Sequence, residues 1–523
     1  MSMQKSATKP ANPAPVPASR GAGSAGAPTT SSATGRDPRS APGSGGPPGI
    51  DRSVWRIAMV LLLGPVLVLL DTTIVSVGTA AVAHDLGGSL AEVQWVSTGY
   101  LLAVAVVMPL TGWATGRWGA KTVWLASTAL FTAGSALCGA AWSVPVLVAC
   151  RVLQGLGGAL IQPVGQAMMA QAAGPERLGR VMSVSVVPVT LAPVAGPVLG
   201  GLLVQDLGWR WMFLVNVPLG ILTLLAARKA LPAGAPAAEH QARLDVKGLL
   251  LLPPGLAAVV YGCSAQRWSV LAAGLVLLAG YVAHALVRTR GGVVVAGAVA
   301  DAGAGAREAA SRVRPVPLLD VRMFARRGFA AATASSFLLG GSLYSAMLLL
   351  PLYFQSVRGA DAMTAGLLLA PQALGTAAAS LIAGRLTDRL GPRPLMLAGL
   401  LLALAGSLPF AFLAHAPGDA LLTVALVVRG AGLGVAMIPG MSAVYGSVSR
   451  EEAPRAAGSV NVLNRVGGSL GTAALTVVLQ RSLAHHPAAP AVAYGQAFGW
   501  ALGFSLLALV PALFYPRRAI PGR

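Results

Sequence analysis

Between Ile57 and Ala83 runs a long apolar stretch interrupted by one carboxylate, Asp71. A carboxylate out of reach of water is so costly in hydrocarbon that a chain which keeps one generally uses it as an ion carrier, a proton relay or a counter-ion. At about 1.5 Å per helical residue, Asp71 lies roughly 21 Å from Ile57, inside a hydrocarbon core about 30 Å thick. The competing reading is a residue at the headgroup level that never leaves water. A second rare charge, Arg151, stands in the run Val144 to Met169, on the order of 10 Å below the same face. Either it snorkels to the surface or it meets Asp71 across the interior. Burial favours the neutral acid and a facing guanidinium favours the carboxylate, so a group held between the two binds and releases a proton, and a cationic ligand competes for the same carboxylate. Arg465, in Asn461-x-x-Asn464-Arg465-x-Gly467-Gly468, is a further cation in an apolar run. Asn461 and Asn464 are its expected partners, unless it is an anchor near the inner face.

The elements that position these residues follow from composition. Of 523 residues 55% are hydrophobic and 11% charged, and the mean hydropathy is +0.69; a soluble domain carries about a quarter charged residues. The formal charge of +21 does not indicate nucleic-acid binding, because the cations sit between apolar segments and not in one patch. The expected fold is therefore all-α and polytopic, with fourteen membrane-spanning helices between Ile57 and Tyr515. Residues 1–52 form a tail too poor in apolar surface to fold. A first bundle covers 53–230, a linker with two inserted spans 231–290, a loop with an amphipathic end 291–326, a second bundle 327–516 and a short tail 517–523. Val293 to Ala300 is too short to cross and is expected in that loop, whose basic end near Pro317 to Arg327 is expected on the inner leaflet. Only Arg210, Arg267, Arg358 and Arg481 fall on the outer side, and Arg151, Arg429 and Arg465 fall within spans. The remaining Lys and Arg lie in the tails or inner loops, which places both termini in the cytoplasm.

The chain repeats itself. Gly112-x-x-x-Gly116-Arg117-x-Gly119-x-Lys121 follows the second span, and Gly384-Arg385-x-x-Asp388-Arg389-x-Gly391-x-Arg393 follows the tenth. In the fourth span Arg151 precedes Gly155, Gly157 and Pro163; in the twelfth Arg429 precedes Gly432, Gly434 and Pro439. Such duplication implies six helices plus six, with a binding site between the halves near the midplane. Gly196-Pro197-x-x-Gly200-Gly201 has no side-chain chemistry; it reads as close helix approach and a bend. Cys138, Cys150 and Cys263 read as small hydrophobes, with a Cys138–Cys150 bond left open. No metal-binding or nucleotide-binding spacing occurs, so no metal, cofactor or ATP drive is expected.

These motifs resemble those of the fourteen-helix drug:proton antiporters of the major facilitator superfamily. Leu70-Asp71-Thr72-Thr73-Ile74-Val75 is similar to their first-helix signature, and Gly112 to Lys121 to the superfamily's loop between helices two and three. Arg151-x-x-Gln154-Gly155 is similar to the fourth-helix motif and Gly196 to Gly201 to the fifth-helix motif of exporters. Trp209-Arg210-Trp211-x-Phe213 with Asn216-x-Pro218-x-Gly220 is similar to the lead into helix six. The chain departs at Gly116, where the first signature loop normally has an Asp. The resemblance implies proton-driven export of hydrophobic, cationic or amphipathic molecules such as antibiotics or dyes, with Asp71 and Arg151 coupling the proton. It implies no enzymatic activity, a monomer among membrane lipids, and the cell membrane as location; export of one dedicated compound is the alternative. Trp95, Tyr100, Gln154, Met168, Met169, Phe337, Tyr344 and Gln355 are the expected cavity residues, since soft and aromatic side chains suit varied apolar ligands.

Overall fold

A computed structural model describes residues 51–515 except 175–176, 233–244, 265–266, 301–318, 320, 416 and 450. In hydrocarbon every backbone N–H and C=O must be satisfied within the segment, so the apolar runs become helices. Among the described residues thirteen helices are long and apolar enough to cross a membrane, and Leu178–Asp206 is a further helix of 29 residues whose apolar part, Leu178–Ala192, is shorter. In chain order we label them α1 (Arg52–Val77), α2 (Glu92–Trp118), α3 (Ala120–Gly139), α4 (Val144–Ala173), α5 (Leu178–Asp206), α6 (Trp211–Ala230) and α7 (Val246–Ser264). The second seven are α8 (Trp268–Ala300), α9 (Arg327–Ser356), α10 (Met363–Leu390), α11 (Pro392–Ala411), α12 (Asp419–Gly446), α13 (Ala453–His485) and α14 (Pro490–Ala512). The face where α1 begins is called the basic face below, since Arg117, Lys121 and Arg228 flank helix ends there.

The sequence repeat is matched by a repeat of packing. In the first half α1 lies on α5, α2 and α3 both lie on α4, and α3 lies on α6; in the second half α9 lies on α13, α10 and α11 on α12, and α11 on α14. Glycine makes the central helix of each half possible. A Cβ on Gly157 would fall 2.5 Å from the Phe131 nitrogen of α3, and one on Gly155 would fall 2.7 Å from the Tyr100 carbonyl oxygen of α2. Gly432 and Gly434 meet the backbones of α11 and α10 in the same way. Pro163 and Pro439 each sit inside the central helix of their half, where the missing N–H loosens the ladder.

The halves are joined unequally. On one seam α5 packs along α10; on the other, α2 meets α13 directly over Met108 to Trp118, and α7, the first inserted helix, packs against both and pairs with α8. Two expectations about the linker change. Residues 293–300 continue α8 as helix instead of entering a loop, since apolar residues extend the helix beyond Arg290 at no cost in backbone hydrogen bonds. Of the amphipathic stretch expected from Pro317 to Arg327, residues 317, 318 and 320 lie outside the described residues. Its end, Val321–Ala325, is a 3-10 turn with Met323 buried in the second half, and the Leu319 backbone is tied to the Tyr281 hydroxyl of α8. Cys138, Cys150 and Cys263 are free.

Candidate functional site

α1 delivers Asp71 to the interior of the first half. The hydroxyls of Thr72 and Thr73 fold back onto the carbonyls of Val68, Leu69 and Leu70, so this turn presents no polar group to lipid. α5 can lie against it because Gly196 meets Thr73 and a Cβ added at Gly200 would fall 3.1 Å from the Ile74 carbonyl oxygen. Gly201 meets nothing within 4 Å of an added Cβ, so close approach is a matter of Gly196 and Gly200. From the other side, α4 brings Arg151 and Gln154 one turn apart to the same depth.

Asp71 is 0% exposed and Arg151 1%. Arg151 Nη1 donates to Asp71 Oδ2 at 2.6 Å and to Gln154 Oε1 at 2.7 Å. Gln154 Nε2 and Asn216 Nδ2 of α6 donate to Asp71 Oδ1 at 2.9 and 3.0 Å. Asn216 also donates to Ser135 Oγ of α3, which donates in turn to the Phe213 carbonyl. Arg151 Nε reaches the Val96 carbonyl of α2 at 3.2 Å, and its guanidinium lies 4.3 Å over the Tyr100 ring. The carboxylate thus accepts three hydrogen bonds over its two oxygens, and the guanidinium is clamped between an ion pair, a carbonyl and a π-face. The Tyr100 hydroxyl and Asn216 Oδ1 are buried beside it with no hydrogen-bond partner among the described residues.

A cavity of about 360 Å³ opens between α2, α7, α9 and α13, at the bridged seam. Leu101, Met108, Leu256 and Leu348 form its apolar wall; Arg465, Ser469, Thr472 and Thr476 face it from α13. Of the residues expected in a cavity, Tyr344 lines it. The others lie elsewhere. Tyr100 and Gln154 are buried in the Asp71 cluster, and Met168 and Met169 in the core of the first half. Trp95 stacks on Tyr261 of α7 at the rim between helices, Phe337 packs where its carbonyl meets Gly467, and Gln355 is exposed near the end of α9. Aromatic and thioether side chains satisfy packing as well as ligand contact, so residue type does not tell the two apart. Nor do the expected partners of Arg465 serve it: Asn461 donates to Gln166 Oε1 and Asn464 to the Ser336 carbonyl.

Over residues 61–472 the sequence matches the Major Facilitator Superfamily. The chain belongs to that superfamily. This transporter is 38% identical over 451 residues, 84% of its length and 78% of the other's, to a multidrug resistance protein B homolog of Mycobacterium tuberculosis. It is 32% identical over 426 residues, 81% and 76% of the two chains, to the tetracenomycin C resistance and export protein of Streptomyces glaucescens. The proton:xylose symporter XylE shares its fold, with a TM-score of 0.59 at 14% identity over 88% of this chain and 97% of that one.

In this major facilitator transporter the two signature loops take the same backbone path and different contacts. Gly119 and Gly391 join consecutive spans with φ of +79° and +86°, a conformation that glycine adopts without strain. Asp388 crosses the closed seam, accepting from the Gly179 N–H at 3.1 Å and from Arg180 Nε at 3.4 Å. Gly384 lets α10 approach α5 there, since an added Cβ would fall 2.6 Å from Ser183 Oγ. The first copy has no carboxylate: Gly116 meets open space, and Arg455 of α13 lies over Gly112 instead. Lys121 Nζ holds the Leu231 carbonyl at 2.6 Å, tying α3 to the end of α6, while Arg117 and Arg389 are exposed. The Pro197 side chain is outside the described residues. Asn216, which the sequence marks only as part of a motif, and Ser135, which it does not mark, complete the Asp71 cluster; an amide in the first turns of an apolar span, at the depth of Asp71, is the available signal.

Proposed function

We infer that this transporter exports hydrophobic small molecules in exchange for protons, with Asp71 as the proton-binding group and Arg151 as its releasable partner. The observation that carries the reading is a carboxylate with no exposed surface that accepts three hydrogen bonds, one of them from a guanidinium. A proton on Asp71 cancels the ion pair and leaves Arg151 uncompensated in a low-dielectric interior, which costs on the order of 3–5 kcal/mol. That is enough to bias a two-state rearrangement of helices strongly. The path for the bias is α2: Arg151 holds it at Val96 and Tyr100, and its next turns carry Leu101 and Met108 to the cavity wall. Protonation from one side thereby loosens the wall that faces cargo, and release of the proton to the other side resets it.

The distribution of cations supports both termini in the cytoplasm; the cell membrane as location and a monomeric state are what the resemblance to drug:proton antiporters implies. In that orientation the closed signature-loop face is the inner one. Export of one dedicated compound is the second reading. A cavity near the lower end of the usual 300–1,000 Å³ for ligand sites and the export protein among the relatives both favour it. Competition among chemically unrelated dyes separates the two, since breadth disfavours the dedicated exporter. The primary test is dye transport in inverted vesicles under an imposed pH gradient: Asp71→Asn is expected to abolish the gradient-driven component. Transport that persists unchanged in that variant removes Asp71 from the mechanism.

A further inference from the structure

We propose that the cavity between α2, α7, α9 and α13 binds an amphiphile whose apolar body carries an acidic group, with Arg465 as its counter-ion. The proposal rests on the export reading above for its physiological meaning, and on the cavity alone for its chemistry. Arg465 lies twelve residues into α13, about 18 Å along the helix and so near mid-depth. It makes no hydrogen bond or ion pair with a described residue; the two nearby asparagines turn their amide N–H groups to Gln166 and Ser336. The other two arginines inside spans are both provided for. Arg151 pairs with Asp71, and Arg429 donates to Gln372 Oε1 at 2.6 Å and Ser407 Oγ at 3.1 Å. A guanidinium at this depth without a partner is expensive, and an anion in the adjoining cavity removes the cost.

The rest of the wall fits the same ligand. Ser469, Thr472 and Thr476 follow Arg465 at steps of four, three and four, so they line one face of α13 over about 17 Å. Opposite stand Leu101, Met108, Leu256 and Leu348. A molecule lying along α13 therefore meets a cation, then a row of hydroxyls, on one edge and aliphatic surface on the other. A cationic amphiphile finds no counter-charge: Asp71 has no exposed surface, and both of its oxygens are occupied by Arg151, Gln154 and Asn216. This reverses the charge expected of the cargo from the sequence.

The test is equilibrium binding of a matched fluorescent pair, 1-pyrenebutyrate and 1-pyrenebutyltrimethylammonium, to the full chain in lipid nanodiscs with no gradient. The anion is expected to bind at least tenfold more tightly than the cation. Arg465→Gln should cost the anion tenfold or more and leave the cation unchanged, Arg465→Lys should retain most of the affinity, and Arg465→Glu should invert the preference. Equal or tighter binding of the cation by the unmodified chain overturns the proposal even if no variant folds, as does anion binding indifferent to Arg465→Gln. Asp71→Asn should keep the anion's binding while losing gradient-driven transport. Binding as expected with no transport in any vesicle would therefore overturn the export reading and spare this one.

Discussion

The carboxylate of Asp388 serves a helix that belongs to the other half of the molecule, and the strength of that service can be worked out. α5 starts at Leu178, and its own N-cap, Arg177, makes no side-chain capping bond. Asp388 supplies the missing acceptor from α10, taking the Gly179 N–H. A cap of this kind contributes about 1 kcal/mol, a carboxylate at a helix N-terminus about 0.3–1 kcal/mol, and a partly buried, long ion pair such as that with Arg180 a few tenths. The sum, at most about 2 kcal/mol because burying the carboxylate offsets part of it, exists only while the halves touch at the basic face, so Asp388→Ala should raise the population open there by up to roughly 30-fold. The readout is the rate at which a membrane-impermeant maleimide labels a cysteine placed at Ser380, a fully buried position on this seam, in a background lacking Cys138, Cys150 and Cys263. Gly116→Asp mirrors Asp388 in the open space beside the start of α13 and should slow labelling. A rate that rises less than threefold in Asp388→Ala, or rises in Gly116→Asp, would refute the idea that this cap closes the seam.

Further expectations concern the core and the pH response. Asn216→Leu removes one charge-assisted donor from Asp71, a loss of about 1.5–3 kcal/mol, and should slow gradient-driven transport at least tenfold while the protein still elutes as a monodisperse peak. Gly196→Val drives a side chain into Thr73 where α5 meets α1 and should lower thermal stability in detergent by about 1–3 kcal/mol, read from static light scattering on heating. At the basic face, bidentate bonds from Arg326 hold the Glu452 carboxyl below its ordinary range. A depressed acid contributes above its unfolded pKa and loses that contribution as pH falls through its folded one. Glu452→Gln should therefore destabilise by at most about 1 kcal/mol, evenly from pH 6 to 8, and the difference should shrink as pH falls through and below the ordinary carboxylate range.

The ion pair was legible because charges inside apolar runs are rare, and helical rise converts their positions into depths that can be compared. Asn216 and Ser135 were not, since neutral polar residues occur in many spans and nothing local marks those that turn toward a carboxylate. The duplicated halves were readable from Arg151 and Arg429 with their glycines, whose spacing is a backbone requirement. The cavity was not: Met168 and Tyr344 are equally suited to contact a ligand, and only the packing of α7 into one seam decides that Tyr344 faces space and Met168 does not. The sequence counted the inserted helices correctly but held no sign of where they dock, because docking depends on which groove remains after the two halves have met.

The two halves have also parted company in chemistry. Arg151 faces an acid, whereas Arg429 at the matching place faces an amide and a hydroxyl, neither of which titrates near neutral pH. Under the exchange mechanism with Asp71 as the carrier, the matching place in the second half adds no hydrogen ion to the one that Asp71 moves, however the cargo is built. With the transmembrane voltage clamped at zero, an uncharged cargo can be concentrated no more than tenfold for each unit of pH difference. A singly negative one moves two elementary charges per cycle, so its export would draw on the membrane voltage twice over.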